Sequence, residues 1–483
     1  MGLWGAMKHT NFNALLQKMP AELRKKFDAM SFEMVDEAAK RFVHTVGLRF
    51  KSGDWLNDYL PPQVLLDGDV SKFAMHDPMH DTTHFTPFVE KIRVPQGSKI
   101  CIIGDVHGDL GYLVEVLAEL QRLGYLDEDY RLIDPTVYIA FAGDYTNRNH
   151  HSVEVMLTLF YLYRHNLGRV FLLRGNHEYA ISVRVVYEMY QAVISDRSDE
   201  PSRNSHGLKD SFIAEMSRKF SLYRFPDLLY WFDFLPMGLY VGCYDDKANQ
   251  FDYLNVCHGG IEPGYSSAAF LASEARFERF KALDRYKAME QLIADNVIPN
   301  AKNRLKFVFD SLTKRGLTQF AASFVEDGHI VNLEHRHNPR QLRLGMQWNS
   351  FLTESNENIA IASSHNHRNI LFGQDLTNYF FAQASAPGHQ IVSMVRGHQH
   401  LDDADAPMGL NSPMLSQLRE RQGIVRQWDG AVYTMGDGGS ATGWQSFLIV
   451  TTGKSLPEWQ STHYFRKDIE APFEQKTTVF VVR

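Results

Sequence analysis

An acidic residue and an imidazole follow directly after an apolar run near residue 100. Ile100 to Ile103 are typical of a strand buried on both faces, and Gly104 allows the backbone to turn sharply. Asp105 and His107 come next, so two metal-binding residue types follow the end of a buried strand, where open α/β sheets bind ligands. By itself this spacing fits a turn hydrogen bond as well as a metal site.

The same arrangement recurs downstream. Further apolar runs each end in a polar residue beside glycine, and these residues are Asp144, Asn176, His258 and His398. Because coincidence at every run is improbable, we expect the strand ends to converge on one site. With the first pair, the set offers only nitrogen and oxygen donors, which favours Mn²⁺, iron or Zn²⁺ over softer metals.

Six candidate ligands are more than a single catalytic zinc binds, since such an ion takes about three protein ligands and a water. They suit two ions that share a bridging carboxylate, and Asp144 is the expected bridge. Two ions about 3.5–4 Å apart would clamp a phosphoryl group and generate a hydroxide near neutral pH. The residues themselves therefore predict two-metal hydrolysis of a phosphate ester.

The blocks that carry these residues resemble the signature blocks of the phosphoprotein phosphatase family, within the calcineurin-like metallophosphoesterase superfamily. They read GDVHG, GDYTNRN, LLRGNHE, HGG and VRGHQ, in this order along residues 104–399. The resemblance covers roughly residues 96–450 and identifies the chain as a divergent member with a helical insertion. It implies an α/β fold, with a central β-sandwich flanked by helices, and hydrolysis of phosphoserine or phosphothreonine on phosphoproteins by a hydroxide that bridges two metals.

The resemblance also implies two metal-binding sets that share one carboxylate. The set for the first ion is Asp105, His107 and Asp144, and the set for the second is Asp144, Asn176, His258 and His398. Two divalent ions are expected as cofactors. Mn²⁺ is expected to support activity in vitro, with iron or zinc as alternatives.

Catalytic and substrate-binding roles follow from the same resemblance. His177 would be the general acid that protonates the leaving alkoxide, beside the catalytic Asp144. Arg148 would bind phosphate oxygens through its planar guanidinium, Arg368 would be a second phosphate arginine, and Asn176 would contact the substrate.

The chain departs from the family pattern at two places. Asn147 stands where the family has an aspartate beside the catalytic histidine, and its amide oxygen is expected to accept a proton from the imidazole without stabilising it by charge. A weaker general acid is therefore expected. In residues 434–440 a Gly-rich segment replaces the family's loop over the site, which predicts a more open and mobile loop.

Three alternative functions stay open. Asn147 and the altered loop leave phosphotyrosine or dual specificity possible. Hydrolysis of dinucleoside polyphosphates is the related nucleotide chemistry, although Glu178 and the large inserts favour the protein phosphatases. A catalytically inactive phosphoprotein-binding scaffold is the third alternative, and the retention of every ligand argues against it.

Composition limits the function classes. A net charge of −7 and a pI near 6.3 argue against a nucleic-acid binder. Three cysteines make a disulfide framework improbable and favour a reducing compartment, so a cytoplasmic location is expected, with delivery into another cell by a signal-independent route left open. No apolar stretch reaches the ~18–20 residues of a membrane span, so no stable membrane insertion is expected. The oligomeric state is not indicated.

The ligand residues must be positioned by alternating strands and helices. Amphipathic stretches at 112–121 and 153–163 predict helices that connect parallel strands. We predict a helical N-terminal region with an extended connector over 1–95 and a catalytic domain over 96–455. A helical hairpin is expected as an insertion at about 266–335, and residues 456–483 are expected to form a strand or tail packed on the core.

Overall fold

The chain alternates helices and strands, which confirms the mixed α/β class predicted from the sequence. The computed structural model describes residues 12–47, 87–178, 211–220, 231–279, 285–298, 300–313, 345–353, 359–363, 369–399, 414–439 and 441–481. The first unit of the chain comprises residues 1–86 and 105–236, and the second unit comprises residues 87–104 and 237–483. Within the described ranges, no helix combines the length and the apolar character that crossing a membrane requires.

The helices of the described ranges, in chain order, are α1 (Phe12–Gln17), α2 (Ala21–Asp28), α3 (Phe32–Gly47), α4 (Leu110–Arg122), α5 (Ser152–His165), α6 (Phe212–Lys219), α7 (Ala268–Ala272), α8 (Arg285–Ala294), α9 (Ala301–Thr313), α10 (Gly345–Trp348), α11 (Gln374–Ala384) and α12 (Met414–Glu420).

The strands of the same ranges are β1 (Phe88–Val94), β2 (Lys99–Ile103), β3 (Val137–Phe141), β4 (Val170–Leu172), β5 (Gly238–Asp245), β6 (Gln250–Cys257), β7 (Phe277–Arg279), β8 (Ser350–Phe351), β9 (Ile361–Ser363), β10 (Ile370–Phe372), β11 (His389–Arg396), β12 (Ile424–Gln427), β13 (Val432–Met435), β14 (Gln445–Thr451), β15 (Gln460–Arg466) and β16 (Glu474–Val479).

In the first unit, the N-terminal helices pack on the long helix α5. The buried face of α3 includes Val35, Phe42 and Val46, which recur at helical spacing. Phe42 stacks on Phe160 of α5 with the ring centroids 4.8 Å apart. Burial of one such side chain contributes on the order of 2 kcal/mol to stability. The helices predicted at the N-terminus are therefore present and carry a packed core.

Strands β3 and β4 of the first unit pair in parallel, with Phe141 opposite Leu172. Helix α5 connects them in sequence. Because most of its residues are buried, apolar residues occur all around this helix, not on one face as the amphipathic pattern predicted. This is the βαβ arrangement predicted from the sequence. The loops after the two strands begin at the same edge of the pair, and both carry candidate ligands.

The second unit contains a seven-stranded sheet in the order β12-β13-β11-β6-β5-β1-β7. Strands β6 and β11 pair in parallel, with Cys257 opposite Arg396, so the residues that follow the two strands leave the sheet at the same edge. Each of these strands is followed by one predicted histidine ligand, His258 after β6 and His398 after β11.

The prediction of an extended connector up to residue 95 is wrong for its last part, because residues 88–94 form β1 between β5 and β7. This strand was not recognised in the sequence because two of its buried residues are charged. Glu90 forms an ion pair with Arg276 at 2.9 Å, and the Nζ of Lys91 donates to backbone carbonyls at the end of α7, including that of Ser273 at 2.6 Å. Paired in this way, charged residues are tolerated in a buried strand.

The second sheet of this unit contains β14 between β2 and β15, with β16 on the outer side of β15. The two sheets contact each other through Tyr433 of β13, whose hydroxyl donates to the carbonyl of Phe480 and lies 3.3 Å from the hydroxyl of Ser461 on β15. This contact joins the sheets as a sandwich. The chain after residue 456 contributes two of these strands.

The described part of the predicted insertion contains a helix pair, but the insertion also includes a strand that was not predicted. Phe277 lies in β7, which pairs antiparallel with β1. The helices α8 and α9 follow, and Leu292 and Leu305 lie in one apolar cluster. The start of the predicted insertion is therefore a short helix followed by an edge strand. Residues 314–344 lie outside the described ranges.

Candidate metal centre

The two loops that carry the first predicted ligands are joined by backbone hydrogen bonds. The N–H groups of Val106 and His107 donate to the carbonyl of Asp144 at 3.0 and 2.8 Å, and Gly108 donates to Tyr145 at 2.7 Å. His107 and Asp144 have φ values of 46° and 54°, in the left-handed region that non-glycine residues seldom adopt. Such strain concentrates where side chains must be held in a defined direction.

Asp105, His107 and Asp144 converge in the first unit. The Nε2 atom of His107 lies 3.6 Å from Oδ2 of Asp105 and 3.5 Å from Oδ2 of Asp144, and all three side chains are buried. The Nδ1 atom of the same ring is 3.0 Å from the carbonyl of Thr146, which can only accept, so Nδ1 carries the proton and Nε2 presents its lone pair to the carboxylates.

This arrangement fits a divalent cation. One imidazole lone pair and two carboxylates directed into a buried space are all electron donors, and a cation between them offsets the cost of their burial. Burial, and secondly the charge of Arg148, lower the pKa of His107, so that the ring is held in the neutral form that binds metals. Nitrogen and oxygen donors of this kind suit Mn²⁺, Fe²⁺ or Zn²⁺.

His177 belongs to the same cluster. Its Nε2 atom lies 3.9 Å from Oδ2 of Asp144, and its ring centroid is 4.9 Å from that of His107. One potential ligand atom from each of these three residues lies within 4.8 Å of the others. The backbone N–H of His177 also donates to Oδ1 of Asp144 at 2.9 Å. The neighbouring Asn176 is buried in the same loop.

Glu178 is the site residue whose role the sequence did not reveal. Its buried carboxylate accepts backbone hydrogen bonds from Asp144 at 2.8 Å, Tyr145 at 2.9 Å and Gly175 at 3.1 Å. It therefore clamps the loop after β3 to the loop after β4. A Cβ atom at Gly175 would collide with the side chain and the backbone N of Asp144, so only glycine permits this approach. The clue in the sequence was an acid directly after Asn-His.

The prediction for Asn147 is wrong in one respect. Its amide oxygen accepts the backbone N–H of Phe212 at 2.8 Å, and its amide nitrogen lies 2.8 Å from Nδ1 of His177. The amide therefore contacts the imidazole as a donor, not as an acceptor. The reason is that the amide oxygen already accepts a hydrogen bond from the N-terminus of α6, which lies far along the chain.

Of the two predicted phosphate arginines, the structure describes Arg148. Arg148 is half-buried in the loop after β3, has a φ of 72°, and lies near enough to His107 for its charge to act on that ring. Arg368 lies outside the described residues.

In the second unit, the two predicted histidine ligands lie together. The ring centroids of His258 and His398 are 5.0 Å apart, and the backbone N–H of Gly397 donates to the carbonyl of His258 at 3.2 Å. The buried guanidinium of Arg396 supports both loops, because it donates to the carbonyl of Gly259 and, at 2.9 Å, to Gln399. The structure thus groups the predicted ligands by unit, with the other four in the first unit.

In the described part of the Gly-rich segment, residues 434–439, one buried side chain holds the backbone. The buried carboxylate of Asp437 accepts backbone hydrogen bonds from residues that follow it, including Ala441 at 3.0 Å. A Cβ atom at Gly104 would lie 2.7 Å from the carbonyl oxygen of Gly436, so this segment packs closely on the end of β2. Hydrogen bonds to the Asp437 carboxylate therefore restrain the backbone of this segment.

Residues 98–402 match the calcineurin-like phosphoesterase family, and because this match covers more than half of the chain, the chain belongs to that family. The family resemblance found in the sequence is thereby confirmed. The curated relatives include the serine/threonine-protein phosphatase PP2A-like PPG1 of Candida albicans, with 26% identity over 50% of this chain and 45% of the relative. The serine/threonine-protein phosphatase 6 catalytic subunit of Caenorhabditis elegans is 35% identical over 35% of this chain and 38% of the relative.

The chain spans less than half the length of these curated relatives. Among solved structures, a protein serine/threonine phosphatase from Saccharomyces cerevisiae with similarity to human phosphatase PP5 aligns with a TM-score of 0.40 and 16% identity, over 79% of this chain and 82% of that one.

Proposed function

We propose that the chain is a metal-dependent protein phosphatase that hydrolyses phosphomonoesters on phosphoproteins, with phosphoserine and phosphothreonine favoured. The observation that carries the proposal is the lone pair of His107 Nε2, which faces Asp105 at 3.6 Å and Asp144 at 3.5 Å in a buried space. Relatives that are serine/threonine phosphatases support the same reaction class.

The chemistry divides between bound ions and the chain's own residues. When bound, divalent ions supply the Lewis-acid charge that polarises the phosphoryl group and activates water. Asp105, His107 and Asp144 would hold one such ion. His177, near Asp144, would assist departure of the leaving oxygen by donating to it. Arg148 would bind the phosphoryl oxygens, which a planar guanidinium matches with two parallel hydrogen bonds.

The proposed cofactors are two divalent ions, with Mn²⁺ supporting activity in vitro and iron or zinc as alternatives. Asn176, His258 and His398 are proposed as further metal ligands, and the adjacent rings of the two histidines support that assignment. Asn176 is also proposed to contact the substrate, and Arg368 is proposed as a second phosphate arginine. A cytoplasmic location is proposed, which the free thiols of the three buried cysteines support.

A substrate panel tests the proposal. Protein stripped of metal is supplied with Mn²⁺, Fe²⁺ or Zn²⁺ singly and offered phosphoserine, phosphothreonine and phosphotyrosine peptides and a dinucleoside tetraphosphate. We expect phosphate release from the first two peptides with Mn²⁺ and none from Asp105→Asn. Faster release from phosphotyrosine would overturn the residue preference, and cleavage of the nucleotide alone would replace the protein-phosphatase assignment. Binding of phosphopeptides without any release would identify a scaffold.

A further inference from the structure

The first N–H group of helix α6 is bound by the side-chain amide of Asn147, which lies 65 positions earlier in the chain. The hydroxyl of Ser211 accepts from the N–H of Ala214 at 3.2 Å, as N-cap residues do. The N–H of Phe212, the first helical residue, has no acceptor within its own helix and donates to Oδ1 of Asn147 at 2.8 Å. A helix terminus that normally needs a cap is thus satisfied by a residue next to the metal centre.

This bond fixes the orientation of the Asn147 amide. A backbone N–H can only donate, so the atom that faces Phe212 is the amide oxygen and the opposite atom is the nitrogen. That nitrogen lies 2.8 Å from Nδ1 of His177 and 3.2 Å from the hydroxyl of Thr146. Both amide hydrogens therefore have an acceptor, and no alternative orientation satisfies Phe212.

The orientation of the amide determines where the proton of His177 resides. Because the amide nitrogen can only donate, Nδ1 of His177 accepts, and the neutral ring carries its hydrogen on Nε2. Nε2 is the nitrogen that lies 3.9 Å from Oδ2 of Asp144. The donor of the ring therefore faces the carboxylate cluster. An aspartate at position 147 would favour the other tautomer. Its carboxylate can only accept a hydrogen bond, so the hydrogen of the neutral ring would lie on Nδ1.

Helix α6 is held in place by a buried acid. The carboxylate of Glu215, with 1% of the residue exposed, accepts the N–H groups of Ser152 at 2.7 Å and Val153 at 3.0 Å, at the start of α5. An anion is stabilised at a helix N-terminus by the backbone dipoles. Lys219 pairs with the same carboxylate at 2.8 Å. Since α5 begins directly after the loop that carries Asn147, this contact sets the distance between that loop and α6.

We propose that α6 is a positioning element of the active site, which acts through Asn147 to keep the hydrogen of His177 on Nε2, where it can donate a hydrogen bond to the leaving oxygen. The catalytic consequence rests on the phosphatase function proposed above, but the position of the hydrogen does not. Asn147, Phe212 and Glu215 are positioning residues. They act on the substrate only through His177.

The first experiment locates the hydrogen directly. Full-length protein with ¹⁵N-labelled histidine is studied by long-range ¹H–¹⁵N correlation NMR, and the His177 signals are assigned by their loss in His177→Gln. We expect the Nε2–H tautomer in the wild type and hydrogen on Nδ1 in Asn147→Asp. Hydrogen on Nδ1 in the wild type, or the same tautomer in both proteins, overturns the proposal.

A matched pair of variants at Phe212 isolates the backbone donor. Phe212→Ala and Phe212→Pro both lose the buried ring, but only proline loses the N–H, and proline is tolerated at the first position of a helix. We expect the alanine variant to keep the Nε2–H tautomer and the proline variant to show a mixture. Identical tautomers in the pair would mean that the Phe212 N–H does not orient the amide.

Turnover of a phosphoserine peptide, whose alkoxide leaving group depends on His177, separates positioning from general damage. We expect kcat of Phe212→Pro to be about tenfold below that of Phe212→Ala, with KM within about twofold, because the lost interaction assists the reaction rather than binding. Glu215→Gln should lower kcat in the same way. Glu119→Gln, which removes a buried acid paired with Arg122 on α4, serves as the control and should retain wild-type kcat.

Failure of the positioning role can be distinguished from failure of the proposed phosphatase function. If the wild type has the Nε2–H tautomer but hydrolyses no phosphomonoester, the positioning role stands and the proposed function fails. If it hydrolyses phosphomonoesters while His177 carries its hydrogen on Nδ1, the function stands and the positioning role fails.

Discussion

Nδ1 of His107 lies 3.0 Å from the carbonyl oxygen of Thr146, and this hydrogen bond determines which nitrogen of the ring faces Asp105 and Asp144. The N–H of Thr146 is in turn 3.3 Å from the carboxylate of Glu178. The ring orientation of a proposed metal ligand is thus set by a backbone carbonyl, and the N–H of the same residue is held by a buried acid on another loop. Such outer partners tune metal affinity without touching the metal.

Replacing Glu178 by glutamine should weaken both the fold and the metal site. The carboxylate oxygens accept backbone N–H groups of both loops, and an amide nitrogen in place of one oxygen would oppose those donors. We expect Glu178→Gln to lower the free energy of unfolding by about 1–3 kcal/mol and the Mn²⁺ affinity by roughly 10–100-fold. Urea unfolding and metal titration measure the two effects.

Glu119→Gln is the control for this prediction, because its carboxylate pairs with Arg122 on the same helix. Equal losses in the two variants, or an unchanged Mn²⁺ affinity in Glu178→Gln, would contradict the clamp.

Asp144→Asn should remove nearly all turnover. Asp144 contributes Oδ2 to the cluster with His107, and it accepts the N–H of His177 through Oδ1, so an amide would both weaken the ligand and disturb the loop. We expect kcat for p-nitrophenyl phosphate to fall by at least about 100-fold, because even outer partners of a ligand are worth 10–100-fold. Near-wild-type rates with Mn²⁺ present would refute the assignment.

Replacement of His177 should depend on the leaving group. The charge that develops on a departing serine alkoxide is stabilised by a hydrogen-bond donor, whereas p-nitrophenolate leaves readily as an anion. We therefore expect His177→Asn to lower kcat on a phosphoserine peptide by roughly 10²–10³-fold and on p-nitrophenyl phosphate by much less. His165→Gln, at the far end of α5, is the control. The same factor on both substrates would show that His177 does not assist the leaving group.

His463 should make the fold less stable in acid. Burial lowers the pKa of this imidazole from 6.5 to about 4 in the folded chain. Between these values the unfolded chain binds a proton that the folded chain does not, so stability falls as the pH drops from 6.5 to 4. The full loss is on the order of 3 kcal/mol, since one unit of pKa difference corresponds to about 1.4 kcal/mol.

His463→Gln tests this directly, because glutamine keeps a donor for the carbonyl of Gln422 and does not titrate. Urea unfolding at pH 7 and pH 5 should show a smaller decrease in stability for the variant than for the wild type. An equal decrease in both proteins would assign the acid sensitivity to other groups.

The strands that precede the proposed ligands could be predicted from the sequence because their pattern is local. An apolar run, a glycine and a polar residue specify a buried strand and its carboxyl end, as at Ile103 and Phe141. Strand β1 was missed because Glu90 and Lys91 look exposed in the sequence. Their partners, Arg276 and the carbonyls at the end of α7, lie about 180 residues away.

The contacts that orient the site residues could not be predicted, since each depends on a distant element. The sequence placed Asn147 beside His177 correctly, but the direction of its amide depends on the N-terminus of α6. The identity of Glu178 was visible, whereas its four backbone donors follow from how two loops approach each other at Gly175. Sequence spacing gives the residue types of the site, and packing gives their directions.

Metal-dependent hydrolysis is tested most directly by phosphate release from a phosphothreonine peptide as metal-free protein is titrated with Mn²⁺, with bound Mn²⁺ determined in the same samples. We predict no release without metal, release that rises with bound Mn²⁺ until the sites saturate, and at least about 100-fold less release in Asp105→Asn. Release by the metal-free protein, or a Mn²⁺-saturated wild type that releases no phosphate from any phosphopeptide, would contradict it.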